Sequence, residues 1–471
     1  MRECDLCVIG SGPAGQKAAI QAAKLGKRVV LVERREVLGG VAVNTGTIPS
    51  KALREAILAM VSRQSAMPQP GDFKLAREHT FHELTTSAGR VIAAEVDIVQ
   101  RHMRSNGVSV LHGAGRFEDA HTIVVESVHG SEKVKADFVL IATGTTPARP
   151  DTIEFDGRTI ITSDEILNLP SLPHSMIIVG GGVIGTEYAS MLSVMGVKVT
   201  LVEGRHRILD FVDGEIGEAL QYHLRQTGMT LRMGEKVVRI ERIEKTAGAK
   251  TIDEHMAEAF FESGKTLRAD CLLYAVGRQG ATAELALENA GLCADNRGRV
   301  TVNEHFQTEV PHIYAAGDVI GFPALASTSM EQGRGAAGHM FGVPIDPVSK
   351  LLPYGIYSIP ELSMVGWTEE KLTEEGIPFE TGVAQYREIA RGQLLGDDIG
   401  MLKLLIHQES HAILGVHVIG TGATELVHIG QCAIAFNATV EYFVNAVFNY
   451  PTLAECYKVA AMNGLNKIKG V

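Results

Sequence analysis

The most regular hydrophobic pattern in the chain occurs twice. Residues 7–33, CVIGSGPAGQKAAIQAAKLGKRVVLVE, and residues 177–203, IIVGGGVIGTEYASMLSVMGVKVTLVE, share one order of apolar and polar positions. Each has an apolar run, a glycine-rich turn, a stretch with helical apolar spacing, and a second apolar run that ends in glutamate. Apolar runs bounded by turn residues indicate buried strands. Each segment is therefore predicted to form a β-α-β unit, and the unit is repeated 170 residues later, as from Gly10 to Gly180.

Both copies carry the glycine spacing of a dinucleotide-binding turn. The first glycine makes the turn, the second lets backbone approach a pyrophosphate, and the third lets the helix pack on the strand. The helix N-terminus is expected to meet the phosphate charge, and the final glutamate the ribose hydroxyls. Two copies predict two dinucleotides bound at once. The predicted contacts are Gly10, Gly12, Gly15 and Glu33 in the first copy and Gly180, Gly182, Gly185 and Glu203 in the second.

Three further apolar runs end in glycine turns. Residues 136–150 and 269–280 each follow one β-α-β unit and predict the strands where the chain crosses between two nucleotide domains. Residues 308–319 predict a strand that ends in a carboxylate, at the sheet edge where ligands of α/β proteins bind. The candidate cofactor contacts in these runs are Thr143, Gly144, Gly277, Arg278, Gly317 and Asp318.

The pattern changes after about residue 345. Alternating apolar runs and a helical stretch from about Ala423 predict an antiparallel sheet covered by helices, with no phosphate-binding turn. The predicted fold class is therefore α/β, with two Rossmann-like dinucleotide-binding domains followed by a C-terminal α+β domain.

Composition narrows the possible partners. The chain has 471 residues and a net charge of −11, without a basic tract, so a nucleic-acid partner is not expected. No apolar run approaches the ~20 residues of a membrane helix, and the start lacks the regions of a signal peptide in order, so we expect a cytoplasmic protein. The histidines lack metal-ligand spacing, so no metal site is predicted. Cys4 and Cys7 are either a redox pair or buried strand residues, and the second interpretation is favoured.

Several motifs together resemble the flavoprotein disulfide reductases, the group of lipoamide dehydrogenase, glutathione reductase and mercuric reductase. The motifs, in the order that the family shows, are GSGPAG, GTIPSK, ATGTTP, GGGVIGTE, AVGR, YAAGD and NYPTLAE. The resemblance implies FAD in the first nucleotide site, a nicotinamide dinucleotide in the second, and a C-terminal domain that pairs two subunits. The implied domains are FAD-binding 1–148 and 277–345, NAD(P)-binding 149–276 and dimerisation 346–471.

The chain departs from this family where the redox chemistry lies. Family members carry a Cys-x4-Cys pair after the glycines that here are Gly39 and Gly40, and Gly40 is a further candidate cofactor contact. The two cysteine positions hold Ala42 and Thr47. The histidine that serves the thiol across the dimer is replaced by Tyr450. Threonine and tyrosine at these two positions resemble the soluble pyridine nucleotide transhydrogenase branch of the family.

That branch implies a hydride exchange without a disulfide. One reduced nicotinamide gives a hydride to FAD and leaves, and a different oxidised nicotinamide then takes the hydride from the same site. The resemblance places Lys51 beside the flavin, paired with Glu187. Thr47 either bonds locally near the flavin or only fills volume. Tyr450 either packs over the active site of a neighbouring subunit or is interface filler.

The residues at and just after the end of the second β-α-β copy bear on whether the chain binds NAD or NADP. Glu203 suits the 2′-hydroxyl of NAD, and Arg205 and Arg207 in EGRHRIL suit the 2′-phosphate of NADP. The sequence therefore predicts NAD(H) and NADP(H) as alternating substrates. The other interpretation is that both arginines are surface charges.

Two other functions fit the same sequence. One is an FAD-dependent NAD(P)H reductase that passes electrons to a quinone or another small acceptor. The other is a binding protein that senses the nicotinamide redox state, for which no partner-binding segment is visible.

Overall fold

The computed structural model describes residues 1–65, 77–244, 254–344 and 348–470. They form two compact units. Unit 1 comprises Met1–Arg149 and Gly277–Val348, and unit 2 comprises Pro150–Val276 and Ser349–Val471. The chain thus leaves unit 1 after Arg149 and returns to it at Gly277. The predicted boundary between residues 345 and 346 lies outside the described residues.

A seven-stranded sheet forms the centre of unit 1. The strands that carry the first β-α-β copy are buried on both faces over most of their length, because α-helices pack on one face and antiparallel strands with residues 285–300 pack on the other. The strands, in the order in which they lie, are β3 (Ser109–His112), β2 (Val29–Glu33), β1 (Arg2–Ile9), β6 (Gly130–Ile141), β5 (Thr122–Ser127) and β4 (Ala114–Phe117), with β17 (Ile313–Ala315) beside β6.

Two helices of unit 1, α1 (Pro13–Lys24) and α7 (Ala326–Met340), pack closely against each other. A Cβ atom on Gly333 would lie 2.1 Å from the carbonyl oxygen of Ala14, so only glycine permits this approach. The helices are α1 (Pro13–Lys24), α2 (Gly40–Asn44), α3 (Thr47–Ser65), α4 (Arg77–Ser105) and α7 (Ala326–Met340).

A two-stranded antiparallel ribbon marks the places where the chain leaves and re-enters unit 1. Strand β7 (Thr145–Pro147) pairs with β16 (Arg278–Gly280), with Thr146 opposite Gln279. The two segments predicted as crossing points are therefore neighbours.

Unit 2 contains the second β-α-β copy. Its parallel sheet has the order β11 (Thr230–Met233), β10 (Lys198–Glu203), β9 (Ser175–Val179), β15 (Cys271–Tyr274) and β8 (Ile160–Ile161). A three-stranded antiparallel sheet accompanies it, formed by β12 (Val237–Glu244), β13 (His255–Phe261) and β14 (Thr266–Ala269). The helices of this part are α5 (Val183–Val194) and α6 (Gly214–Gln226).

The rest of unit 2 is an antiparallel sheet with helices against it, and α10 begins at Ala423 as predicted. The strands lie in the order β18 (Tyr354–Ile356), β19 (Leu362–Gly366), β22 (Ile413–Ile419), β21 (Met401–His407) and β20 (Phe379–Gln385). The helices are α8 (Glu369–Glu374), α9 (Ala390–Leu395), α10 (Ala423–Ala435), α11 (Val440–Asn445) and α12 (Glu455–Lys469). The predicted α/β fold class with an α+β C-terminal part is confirmed.

A buried lysine joins the two parts of unit 2. Lys403 is fully buried on β21, and its ammonium group lies 2.8 Å from Asp213 and 2.9 Å from Glu215, with Glu369 also in contact. Burial opposes the charge on Lys403, but the three carboxylates outweigh it and raise the pKa of this lysine. Asp213, at the start of α6, is thereby held to the C-terminal sheet.

Within the described ranges, no helix combines the length and the apolar character needed to cross a lipid bilayer.

Candidate functional site

The first glycine-rich turn has the shape that a bound pyrophosphate requires. Gly10 has a φ angle of +107°, and a Cβ atom there would lie 2.4 Å from the carbonyl oxygen of Ala142. A Cβ atom on Gly15 would lie 2.0 Å from the carbonyl oxygen of Gly10. Gly12 is open, because its Cβ would meet only the Ala142 oxygen, at 4.0 Å. Gly15 thus allows α1 to pack closely on the turn, and Gly12 leaves space for a ligand at the start of α1.

Glu33 braces this turn at the end of β2. Its buried carboxylate accepts hydrogen bonds from the backbone N–H of Ser11 at 3.0 Å and from the hydroxyl of Ser11 at 2.6 Å. It also accepts one from the backbone N–H of Arg35 at 2.9 Å. The Ser11 hydroxyl accepts in turn from the N–H of Gly39 at 2.9 Å. Ser11, which sequence reasoning did not single out, connects the turn with the segment where family members carry the disulfide.

Other predicted cofactor contacts of unit 1 lie around this turn. A Cβ atom on Gly40 would be 2.7 Å from the Cα of Gly12, and one on Gly10 would be 3.2 Å from the Cα of Thr143. Gly40 and Gly144 have φ angles of +60° and +66°. These residues therefore meet where β1, β2 and β6 end, at the carboxyl edge of the sheet.

The end of β17 reaches the same edge. A Cβ atom on Gly317 would lie 3.2 Å from the Cβ of Ala14, in the first turn of α1. The next residue, Asp318, is partly buried, and this burial raises its pKa although the positive charge of Arg278 opposes the change. Arg278 donates to the hydroxyl of Thr145 at 2.8 Å and to its carbonyl oxygen at 2.9 Å.

The residues of this edge fit a dinucleotide. Among the described residues, the buried hydroxyls of Thr45 and Thr143 have no hydrogen-bond partner. A buried polar group without a partner costs about 1–3 kcal/mol, so these hydroxyls are suited to a polar ligand. No side chain of the described ranges caps the first turn of α1, which leaves backbone N–H groups for a phosphate.

The segment at the predicted redox position consists of two helices. Ala42 lies in α2, and Thr47 is the first residue of α3. Lys51 thus lies in the second turn of α3, where the backbone N–H of Ser50 already bonds to the carbonyl of Gly46 at 3.1 Å. The ammonium group of Lys51 donates to the hydroxyl of Ser50 at 3.3 Å.

The second turn, in unit 2, repeats the geometry of the first. Gly180 has a φ angle of +108°, and its Cβ would lie 2.7 Å from the carbonyl oxygen of Ala275. A Cβ atom on Gly185 would lie 1.9 Å from the carbonyl oxygen of Gly180. Around Gly182, no described atom lies within 4 Å of the Cβ position. The same space for a pyrophosphate is thus present before α5.

Glu203 differs from Glu33 in what holds it. Its carboxylate accepts from the backbone N–H of Gly181 at 2.7 Å and from that of Arg205 at 2.9 Å. It accepts further from the guanidinium of Arg205, through Nε at 3.0 Å and Nη2 at 2.9 Å. Burial alone would raise the pKa of Glu203, but these hydrogen bonds outweigh it and lower the pKa.

Both predicted phosphate-binding arginines are held by acidic residues. Arg205 also contacts the carboxylate of Asp210. Arg207 donates to the carboxylate of Glu370 at 2.9 Å and to the carbonyl oxygen of Asp210 at 2.9 Å. Neither Asp210 nor Glu370 stood out in the sequence, because both look like ordinary surface acids.

The remaining predicted residues lie elsewhere in unit 2. Glu187 is buried in α5, and its carboxylate accepts from the backbone N–H of Tyr357 at 2.9 Å. Lys51 belongs to the other unit, so the pairing of Lys51 with Glu187 stays a prediction. The side chain of Tyr450 is 69% exposed, and its place beside a neighbouring subunit also stays a prediction.

Comparison with known proteins identifies the family. Residues 4–333 match the model of the pyridine nucleotide-disulphide oxidoreductases, and residues 352–461 match the dimerisation domain of the same family. The chain belongs to the pyridine nucleotide-disulphide oxidoreductase family. Membership implies FAD and nicotinamide nucleotides as its cofactors and substrates.

Relatives within this family cover the full chain. A soluble pyridine nucleotide transhydrogenase of Mycobacterium bovis is 52% identical over 100% of this chain and 99% of its own length. A protein of the same name from Colwellia psychrerythraea is 44% identical over 98% of both chains. Among solved structures, the flavoprotein disulfide reductase RclA of Escherichia coli matches with a TM-score of 0.85 and 26% identity over 97% of this chain and 99% of that one. LpdA of Mycobacterium tuberculosis matches with a TM-score of 0.86 and 25% identity over 98% and 99%.

The cysteines of this family member are not arranged for redox relay. All six are free thiols. Burial raises the pKa of Cys4 to about 11 and that of Cys7 well above its ordinary value, so both stay protonated at neutral pH. Both cysteines are buried in β1 and belong to the same apolar cluster, as expected for buried strand residues. Nor does any part of the chain that the structure describes hold three or more His, Cys, Asp or Glu side chains placed to bind a metal.

Proposed function

We propose that this chain is a soluble, FAD-dependent transhydrogenase that moves hydride between NADPH and NAD⁺, and reversibly between NADH and NADP⁺. One observation carries the proposal. Both dinucleotide turns are intact, while the positions of the redox cysteines hold Ala42 and Thr47 and that of the acid–base histidine holds Tyr450. The full-length relatives that bear the transhydrogenase name support the same activity.

In this proposal, the first turn holds the resident cofactor. Gly12 admits the pyrophosphate to the N-terminus of α1, and the hydroxyls of Thr45 and Thr143 supply hydrogen bonds inside the site. FAD, when bound, supplies the hydride-carrying chemistry. Lys51 provides a positive charge that stabilises an electron-rich ring, and Glu187 orients Lys51. Thr47 lines the site without any redox role.

The second turn takes the exchangeable nucleotide. Gly182 admits its pyrophosphate, Glu203 receives the ribose hydroxyl of NAD, and the guanidinium groups of Arg205 and Arg207 receive the 2′-phosphate of NADP. No general base is required, because hydride transfer between two nicotinamide rings moves no separate proton. The loss of the family's histidine at Tyr450 is therefore compatible with full activity.

We infer a homodimer formed through the C-terminal domain. The match of residues 352–461 to a dimerisation domain supports it. Tyr450 and nearby side chains with large exposed apolar surfaces, such as Tyr442 and Val447, are suited to an interface. In this dimer, Tyr450 packs over the active site of the neighbouring subunit. We also infer a cytoplasmic location, since six free thiols suit a reducing compartment.

A reductive titration of the purified protein tests the proposal directly. If the flavin is the only electron store, the enzyme takes up two electrons per subunit from NADPH, and an oxidised NAD analogue then removes both. Uptake of four electrons would reveal a second redox centre and contradict the mechanism.

Steady-state assays separate the alternatives. Fast transfer from NADPH to the NAD analogue, with slow quinone reduction, is expected. Fast quinone turnover with slow transfer to the analogue would establish the reductase instead. Flavin that NADPH reduces but NAD⁺ cannot reoxidise would indicate a redox-sensing binding protein.

A further inference from the structure

We propose that Asp210 and Glu370 set the balance between NADP and NAD by holding the arginines that would otherwise read the 2′-phosphate. The inference rests on the proposed use of both nucleotides by one site. Each of these acids competes with the phosphate for a guanidinium, so each lowers affinity for NADP without a contact to the nucleotide. They are specificity-determining residues that act through Arg205 and Arg207.

Glu203 is saturated in the structure. A carboxylate offers about four acceptor positions. Two backbone N–H groups and two N–H groups of the Arg205 side chain use four. A ribose hydroxyl therefore gains Glu203 only when the Arg205 guanidinium turns away from it. Asp210, already in contact with Arg205, is the group that receives the guanidinium in the state that binds NAD.

Arg207 is held by an acid from the C-terminal part of unit 2. Glu370 lies in α8 and reaches Arg207 across 163 residues of sequence. Gly214, at the start of α6, makes room for this pair. A Cβ atom there would lie 2.5 Å from the carboxylate oxygen of Glu370 and 3.0 Å from Nη1 of Arg207. The pair is therefore built into the packing of α6 against α8, although its charges face solvent.

These ion pairs are exposed enough to open. The side chains of Arg205 and Asp210 are 46% and 45% exposed, and those of Arg207 and Glu370 are 32% and 47% exposed. An exposed pair is worth only about 0.2–1 kcal/mol, which a charge-assisted bond to phosphate outweighs. Thermal opening of such pairs lets one site accept either nucleotide in turn.

The local charge balance decides the direction of the effect. Three carboxylates, those of Glu203, Asp210 and Glu370, face two guanidiniums, so the subsite has one more negative than positive charge. A hydroxyl tolerates this balance, whereas a 2′-phosphate with a charge of about −1.5 to −2 is opposed by it. Neutralising Asp210 or Glu370 releases the arginine that this acid holds, and it also removes the repulsion between this acid and the 2′-phosphate. Both changes favour the phosphorylated nucleotide.

Calorimetric binding of two nucleotide fragments to the FAD-loaded enzyme tests this inference. ADP-ribose and 2′-phospho-ADP-ribose lack nicotinamide and therefore bind without turnover. Asp210→Asn and Glu370→Gln are each expected to bind the phosphorylated fragment about two- to fivefold more tightly. ADP-ribose binding should weaken or stay within about twofold, since it gains nothing from a freed arginine.

The matched control is Glu241→Gln. Glu241 pairs with Arg239 at 2.9 Å and is 43% exposed, so the change removes an equally exposed acid of the same unit. It should leave both affinities unchanged. In an Arg205→Ala background, Asp210→Asn should lose most of its effect, because the two residues act through one ion pair. Equal tightening of both fragments, or tightening in Glu241→Gln, would overturn the proposal.

The outcome is separable from that of the proposed function. If the fragments discriminate as expected but NADPH does not reduce NAD⁺, the transhydrogenase proposal fails and the assignment of these acids stands. If transhydrogenation is fast and Asp210→Asn and Glu370→Gln leave the affinity ratio unchanged, the assignment of the acids fails alone. Melting temperature and flavin content verify that each variant is folded.

Discussion

The two β-α-β copies have the same backbone and different chemistry at the same point. Their first glycines have φ angles of +107° and +108°, and Glu33 and Glu203 both accept a backbone N–H from the turn and one from two residues downstream. The difference lies in the remaining donor. It is the neutral hydroxyl of Ser11 in the first copy and the guanidinium of Arg205 in the second.

This difference matches the two kinds of ligand that we propose. Ser11 is fixed within the turn, buried, and bonded on both sides, by Glu33 and by the N–H of Gly39. A rigid neutral donor suits a cofactor that stays bound. Arg205 reaches from a half-exposed position and can leave, which suits a substrate that is exchanged in every cycle. The proposed site for the resident cofactor and the proposed site for the exchanged nucleotide thus differ in one donor, Ser11 or Arg205, whereas the first glycines of their turns have the same backbone geometry.

The largest expected effect comes from placing a Cβ atom at the first glycine of each copy. Gly10→Ala should abolish FAD binding, because the added atom would meet the Ala142 carbonyl at 2.4 Å at a positive φ angle. Gly180→Ala should retain FAD and lose reduction by both NADPH and NADH, since its clash is with Ala275. Visible flavin absorbance and its bleaching by nucleotide or by a chemical reductant distinguish the two.

Equivalent glycines later in the copies provide the control. Gly26 and Gly196 both have φ angles of +75°, and no described atom lies within 4 Å of either Cβ position. Alanine there should cost about 1–2 kcal/mol of stability and leave both nucleotides bound. Loss of FAD from Gly180→Ala would break the assignment of one copy to each nucleotide.

Lys403→Met should cause the next largest effect. It removes the cation from three carboxylates, one of which, Asp213, is fully buried, and the expected loss of unfolding free energy is about 3–5 kcal/mol. Burial raises the pKa of Asp213, but the charges of His417 and Lys403 and hydrogen bonds from Lys403 and the backbone N–H of Glu369 outweigh burial and lower this pKa. In the wild type this acid therefore stabilises the fold above its unfolded pKa of about 3.9. In the variant, acidification protonates the unpaired Asp213, so the deficit should shrink as pH falls.

Denaturant unfolding at several pH values measures this loss. Lys236→Met is the control, because the ion pair of Lys236 with Glu262 is exposed and is worth about 1 kcal/mol at most. A deficit of similar size in both variants would show that the buried lysine does not hold the second copy to the C-terminal sheet.

Sequence reasoning succeeded where backbone geometry decides the structure. Gly10 and Gly180 carry positive φ angles because no other residue fits against the neighbouring strand, and this requirement is visible in the glycine spacing. The convergence of Gly317 on α1 also follows from strand ends meeting at one edge of a sheet. These features depend on local rules that a single sequence displays.

The side-chain pairs could not be found in the same way. Arg207 with Glu370, and Lys403 with Asp213, join positions 163 and 190 residues apart. Their charges are ordinary in the sequence, and only tertiary packing selects which acid meets which base. Arg35 and Arg205 occupy equivalent positions in the two copies, and nothing in their neighbouring residues tells that the second one turns onto its glutamate.

Lys51→Ala tests whether a positive charge beside the resident cofactor contributes to hydride transfer. If Lys51 stabilises the electron-rich flavin, hydride transfer from either nicotinamide should slow about 100-fold, as when one electrostatic donor is removed from an active site. Stopped-flow reduction of the flavin at saturating NADPH and NADH measures the step. Lys24→Ala, at the exposed end of α1, is the control. Unchanged reduction rates in Lys51→Ala would refute the role.

Ser11→Gly gives the smallest expected effect and tests the comparison most directly, because the second copy has glycine at that position. The change removes a charge-assisted hydrogen bond to Glu33, so FAD affinity should fall about tenfold, while NADP affinity is unaltered. Arg35 then has the opportunity to take the role that Arg205 has in the second copy. If it does, FAD binding in the variant becomes sensitive to salt, since an exposed ion pair replaces a neutral donor. An unchanged FAD affinity would mean that the identity of this donor does not separate permanent from exchangeable binding, and that the distinction lies outside the two turns.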